Sequence, residues 1–227
     1  MKKLILWDID GTLVDAGGAG VRALLGAMKA CFNIEVSADG IEMAGRTDLD
    51  IIDEMFGVYR AGSDAGDLQR CLEYYHGILE TEMANGDTCV FPGVESVLHE
   101  IRGREEIEQA ILTGNTRVAA RVKLDHFSIR HFFAFGAYGD ESKDRNALAE
   151  LALRRAREGT GGTMDPRNIF VIGDTVRDVA CGKAIGAHTV AVATGFCSAG
   201  ELAACEPTTV LEDLADPAAF FAVIDAV

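Results

Sequence analysis

Two carboxylates stand two residues apart near the start of the chain, in Asp8-Ile9-Asp10-Gly11-Thr12-Leu13. Two carboxylates held together repel unless a cation or a shared proton compensates. Hard cations such as Mg²⁺ favour carboxylate oxygens and keep waters that a phosphate can displace. The pair is thus either a solvated turn or a metal-ready site with one carboxylate free to act as nucleophile. Other polar groups close apolar runs further along: Thr113-Gly114-Asn115 after Gln109–Leu112, and Gly173-Asp174 after Asn168–Ile172. Asp178 follows four residues later, and Lys143 and Arg145 are the candidate cations for holding a phosphate.

These side chains matter only if the chain brings them together. Leu4-Ile5-Leu6-Trp7 reads as a short buried strand, and Gly11 lets the chain turn at its end. Residues 109–115, 132–137, 168–174, 189–193 and 209–211 read as further strands. Helices are expected over 94–102, 116–125, 144–157 (with Asp144 as N-cap) and 177–185, and at the C-terminus. Gly159-Thr160-Gly161-Gly162-Thr163 reads as a loose connection. The strands are apolar throughout and alternate with helices, the pattern of a parallel sheet covered on both faces. In such a sheet the carboxyl ends share one edge, where ligands bind. Asp8, Asp10, Thr113, Asn115 and Asp174 all fall there.

Residues 14–88 show no convincing strand. Helical spacing covers 20–32, and Gly45-Arg46-Thr47-Asp48 leads into a helix with Leu49, Ile51, Ile52, Met55 and Phe56 at apolar positions. Another helix runs from about Asp67 to Met83. The glycines at 17, 18 and 20 lack the G-x-G-x-x-G spacing of a dinucleotide loop. The expected fold is α/β: a Rossmann-like, three-layer parallel-sheet core from 1–15 and 89–227, with an all-helical cap inserted at 16–88.

Composition narrows the class. The chain has 227 residues, 48% hydrophobic and 25% charged, enough for a sizeable core. A formal net charge of -15 argues against a nucleic-acid or anionic-membrane surface. No stretch approaches the roughly 18 apolar residues of a membrane span, and the short apolar run ending at Asp8 is not expected to act as a signal peptide. The six cysteines form no C-x-x-C pair and the five histidines no metal-binding pattern. A cytoplasmic protein, monomeric or homodimeric, is expected.

The stretches Asp8-Ile9-Asp10-Gly11-Thr12-Leu13, Thr113-Gly114-Asn115, Lys143 or Arg145, and Gly173-Asp174-Thr175-Val176-Arg177-Asp178 resemble the four ordered motifs of the haloacid dehalogenase superfamily. More narrowly, the chain resembles its phosphoglycolate phosphatase and beta-phosphoglucomutase-like branch with a helical cap. The resemblance implies Asp8 as nucleophile and Mg²⁺ ligand, and Asp10 as general acid and base whose backbone carbonyl meets the metal. It implies Thr113 on the phosphate, Asp174 on the metal and Asp178 in support of it. Gly11, Thr12, Gly114 and Asn115 are then expected around the phosphate. The third motif departs from the common Lys-Pro-x-Pro form. An ungapped count back from Ala152-Leu153 favours Lys143, while an Asp-Arg-x-x-Leu context favours Arg145; the count is preferred.

An acid at the second position of the first motif implies phosphoryl transfer rather than dehalogenation. The expected activity is Mg²⁺-dependent hydrolysis of a small phosphorylated metabolite through an aspartyl-phosphate. Alternatives are a hexose-phosphate mutase and a non-catalytic binding protein on the same fold. Arg46 is expected to reach from the cap to a substrate carboxylate or distal phosphate. Hinges are expected near Asp15–Gly20 and Thr88–Pro92.

Overall fold

A computed structural model describes residues 2–37, 41–59, 64–160 and 164–226. Its centre is strand β1 (Lys3–Trp7), buried except at Lys3. The main sheet adds β4 (Ile107–Leu112), β5 (Gly136–Ala137), β6 (Ile169–Gly173), β7 (His188–Val192) and β8 (Thr209–Leu211). The order is β5-β4-β1-β6-β7-β8, and every pairing is parallel. Trp7 lies opposite Ile111 of β4 and Ile172 of β6. That register sets the residue after Trp7 between the ends of both neighbours, so Asp8 meets the polar ends of the second and fourth expected strands.

Side-chain alternation along β1 divides the core. Ile5 and Trp7 face one layer, built on α4 (Val94–Arg102), α5 (Arg117–His126) and α9 (Pro217–Asp225). Trp7 stacks on Phe220 with ring centroids 5.6 Å apart. Leu4 and Leu6 face the other layer, with α6 (Arg145–Thr160) and α7 (Val176–Ala184). Two covered faces explain why the strands are apolar at consecutive positions. Helix α8 (Ala199–Ala204) packs near the β7–β8 side.

Helices α1 (Ala19–Phe32), α2 (Asp48–Tyr59) and α3 (Ala65–Asn85) form an insert with its own apolar cluster. Leu24, Met28, Ile52, Met55, Tyr75 and Leu79 supply its interior, joined by Ala119 of α5. Each aliphatic side chain fully buried in this way contributes about 1.5–3 kcal/mol.

Two expectations about strands are corrected. Residues 14–88 do begin with one: β2 (Val14–Asp15) pairs antiparallel with β3 (Cys89–Val90), so a short ribbon joins both crossings into the insert. Two residues per strand are too few to show a period. The expected strand at 132–137 shrinks to Gly136–Ala137, opposite Ile111 and Leu112, with a further bond from the Ala134 amide to Gln109 O at 3.2 Å. Arg130–Phe132 instead form a 3₁₀ turn that buries Phe132 against His99. Helix α6 runs on through Thr160, and the rest of the expected glycine-rich connection, 161–163, lies outside the described residues.

Candidate active site

Asp8 follows directly on β1. Its Oδ1 accepts the Ile9 amide at 2.8 Å and its Oδ2 pairs with Arg145 at 2.7 Å. Asp174 follows β6; its Oδ1 accepts the Thr12 hydroxyl at 3.1 Å and its Oδ2 the Phe196 amide at 3.0 Å. Asp178, in the first turn of α7, closes a capping box: its Oδ2 accepts the Thr175 amide at 3.0 Å and hydroxyl at 2.6 Å. Its Oδ1 pairs with Arg145. One oxygen from each of these three buried carboxylates lies within 4.8 Å of the others.

This crowding sets the electrostatics. Burial pushes Asp8 up to about 6, against the attraction of Arg145 and with Asp178 adding repulsion. Burial, then Asp178 and Asp8, push Asp174 up to about 8. Burial works against the Arg145 charge, yet Asp178 and Asp8 hold its pKa well above the ordinary value. Three carboxylates share one guanidinium, so the cluster is short of positive charge. An all-oxygen donor set with that deficit fits a hard divalent cation.

Asp10 turns away from the cluster. Its Oδ2 accepts Asn115 Nδ2 at 2.7 Å and Lys123 Nζ at 2.5 Å. Lys123 also donates to Asn115 Oδ1 at 2.5 Å. Sequence reasoning missed this lysine. It lies on the buried stripe of α5 with Ala119, Ala120 and Leu124, and a lone lysine on an apolar stripe is the signal that could have found it.

The insert closes over the strand ends. The Asp48 amide donates to Gly114 O at 2.8 Å, and its Oδ2 accepts the Thr116 amide at 2.7 Å and the Tyr75 hydroxyl at 3.4 Å. Burial pushes Asp48 up to about 6, opposed by Lys123. Gly114 is required here: a Cβ on it would lie 2.0 Å from the Arg46 carbonyl oxygen. Between insert and sheet lies a cavity of about 300 Å³. Asp8, Asp10, Asn115, Lys123 and Arg145 face it from below; Leu24, Met43, Ile51 and Tyr75 face it from the insert.

Several expected residues stand elsewhere than foreseen. Lys143, preferred on the motif count, pairs with Asp53 on the surface, half exposed, while Arg145 enters the acid cluster. Arg145, at the first position of α6, also donates to Gly45 O at 3.0 Å, and its buried Nε has no acceptor among the described residues. Arg46 lines the cavity, but its guanidinium is held by Asp50 at 2.7 Å and by Glu54. It is not a free cation for a substrate. Thr12 spends its hydroxyl on Asp174 instead of facing the cavity. Gly11, at φ 79°, packs so tightly that a Cβ would lie 2.3 Å from Asp174 Oδ2. Thr113 is fully buried and accepts from the Asn115 amide at 3.3 Å and Nδ2 at 3.1 Å, which leaves its own proton to donate.

A profile of the haloacid dehalogenase-like hydrolases matches residues 5–192. A phosphoglycolate phosphatase of Synechococcus elongatus is 28% identical over 93% of both chains. A 5'-nucleotidase of Pseudomonas aeruginosa is 27% identical over 93% of this chain and 91% of its own. The crystal structure of a D10N mutant of CbbY from Rhodobacter sphaeroides with xylulose-(1,5)bisphosphate superposes with a TM-score of 0.77 at 19% identity, covering 95% of this chain and 96% of that one.

Proposed function

The chain belongs to the haloacid dehalogenase-like hydrolase family as a phosphatase, and on that premise we propose that it hydrolyses a small phosphomonoester through a phosphorylated Asp8. The observation that carries this is the separation of the two first-motif acids. Asp8 sits with Arg145 in the acid cluster, whereas Asp10 is held on the other side by Asn115 and Lys123. One carboxylate is placed to attack and the other to move protons.

Asp8 Oδ2 attacks phosphorus in line with the leaving oxygen. Arg145, paired with Asp8 at the cavity wall, offsets the charge of the phosphoryl oxygens. Asp10 gives its proton to the leaving oxygen as the P–O bond breaks. It then takes a proton from a water, which attacks the aspartyl-phosphate, frees phosphate and regenerates Asp8. Thr113 donates a hydrogen bond from its hydroxyl to the phosphoryl group from the neighbouring strand end.

Asp8, Asp174 and the Asp10 backbone carbonyl would hold Mg²⁺, with Asp178 in support. When bound, that cation offsets the negative charge gathered around the transferring phosphoryl group. Asp178 in addition fixes Arg145 and the start of α7.

The insert acts as a cap, moving about the β2–β3 ribbon and its flanking residues to exclude water. A cavity of about 300 Å³ suits a leaving group of a few carbons. The named activity of the Synechococcus relative makes 2-phosphoglycolate the first substrate to try. Free cysteines throughout support a reducing, cytoplasmic setting.

The test is phosphate release from a panel of phosphomonoesters with Mg²⁺, alongside trapping of the phosphorylated enzyme. Asp8→Asn should abolish both. Turnover by Asp8→Asn at the wild-type rate would overturn the assignment.

A further inference from the structure

Lys123 is an expensive residue to place on the inner face of α5. It is 4% exposed, and the neighbouring Ala119, Ala120 and Leu124 already pack the helix. A lysine so deeply buried requires partners. Its Nζ has two, both at 2.5 Å: Asp10 Oδ2 and Asn115 Oδ1. Asn115 in turn donates to the same Asp10 oxygen at 2.7 Å. The three side chains close a triangle in which every group satisfies two others.

The triangle has a directional consequence. Both donors converge on Asp10 Oδ2, and Oδ1 takes no hydrogen bond among the described residues. The Asp10 side chain is 28% exposed. Packing alone leaves such a carboxylate free to rotate. With Oδ2 fixed at two points, rotation stops and Oδ1 becomes the oxygen available to the cavity. The insert packs directly on this arrangement: a Cβ at Gly20 of α1 would stand in ordinary contact, 3.6 Å from Lys123 Nζ and 3.9 Å from the Tyr75 hydroxyl.

We propose that Lys123 is a positioning residue: with Asn115 it pins one oxygen of Asp10 so that the other is aimed at the leaving group. This rests on the reading of Asp10 as the acid for the leaving oxygen. Lys123 acts through Asp10 and need not touch the substrate. Its contribution is therefore greatest where the leaving group most needs a proton.

That dependence separates positioning from mere support of the fold. The experiment measures kcat/KM, which reports steps up to the first irreversible one, for phosphomonoesters with graded leaving groups. Alkyl phosphates need the acid; p-nitrophenyl phosphate leaves without much help. Asp10→Asn should lose about 10²–10⁴-fold on an alkyl phosphate and far less on p-nitrophenyl phosphate. Lys123→Met should show the same trend at smaller scale, about 10- to 100-fold on alkyl and under about 3-fold on p-nitrophenyl phosphate. Lys123→Arg, which restores a cation, should recover most of the alkyl rate. Should Lys123→Met lose its native far-UV circular dichroism, Lys123→Gln carries the same comparison. An equal loss on every leaving group, with Asp10→Asn still discriminating, overturns the role of Lys123 alone. If Asp10→Asn itself does not discriminate, the acid reading falls and this proposal falls with it.

Discussion

The Asp48 carboxylate, in the first turn of α2, accepts the Thr116 amide at the start of α5 at 2.7 Å. This bond ties the helical insert to the sheet domain beside the candidate site, at a helix N-terminus that favours negative charge. Burial nevertheless pushes Asp48 up to about 6 from an ordinary value of 3.8. The folded state therefore binds this proton more tightly than the unfolded state, so stability falls as pH rises from about 4 to about 6, then levels. Asp48→Asn keeps an acceptor for Thr116 and removes the charge. Its stability relative to wild type should be higher at pH 7.5 than at pH 4, by an amount on the order of 1–3 kcal/mol. Asp48→Ala removes the acceptor as well and should be less stable than Asp48→Asn at both pH values by about 1–3 kcal/mol. Thermal unfolding across pH checks this; parallel curves for Asp48→Asn and wild type would contradict it.

Arg145 and Lys143 are two residues apart and differ sharply in surroundings. Arg145 is buried against Asp8, Asp178 and the Gly45 carbonyl. Lys143 pairs with Asp53 at the surface, where ion pairs are worth about 0–1 kcal/mol. Arg145→Ala should lower kcat/KM by about 10²–10³-fold, comparable to removing one preorganised donor from a developing anion. Lys143→Ala should stay within about 3-fold on the same scale of reasoning. Arg145→Lys should fall well short of wild type, because an ammonium cannot span three acceptors as a planar fork does. Steady-state kinetics on one substrate decide; the reverse ranking would restore the motif count that favoured Lys143.

How these positions were legible in the chain differs for physical reasons. The acids at 8, 10 and 174 each end an apolar run, so a strand and its polar terminus can be read together. What a linear pattern lacks is neighbour order. That β1 lies between β4 and β6 depends on long-range pairing. The choice between Lys143 and Arg145 turns on where α6 begins and which way its first side chain points. Lys123 was hidden because its partners lie 113 and 8 residues away. Asp48 read as a helix start, and its bond to Thr116 exists only once the insert has folded back over the sheet. The β2–β3 ribbon was too short for periodicity to reveal.

Gly114 offers a test of that folding back. A Cβ there would lie 2.0 Å from Arg46 O, and a Cβ at Gly139 would lie 1.9 Å from Gly114 O. Backbone lies on both sides, so neither clash is relieved by a side-chain rotation. Gly114→Ala should force the segment around Arg46 and Thr47 off the strand end and break the Asp48-to-Gly114 amide bond. A destabilisation of about 1–3 kcal/mol is expected, as for other overpacked sites. Proteolysis should speed up in the insert before the sheet domain. Unchanged stability with unchanged proteolysis would show that the insert does not close on Gly114.

The acid cluster predicts how metal binding responds to pH. Asp8 is pushed up to about 6 and Asp174 to about 8. Without metal, both acids bind protons more tightly in the folded state, so they erode stability as pH rises from about 4 to about 8. A divalent cation competes with those same protons, so its affinity should climb across roughly pH 6–8 and then flatten. Stabilisation follows RT ln(1 + [L]/Kd), about 2.7 kcal/mol when Mg²⁺ is at 100 times Kd. The Mg²⁺-induced rise in melting temperature should thus be larger at pH 8 than at pH 6. Chelation should abolish phosphate release, and added Mg²⁺ should restore it. Asp174→Asn removes one carboxylate charge and the more strongly shifted proton, so the Mg²⁺ response should nearly vanish and its pH dependence with it. A full response in Asp174→Asn would place the cation elsewhere, and a response independent of pH would mean that these carboxylates are not its ligands.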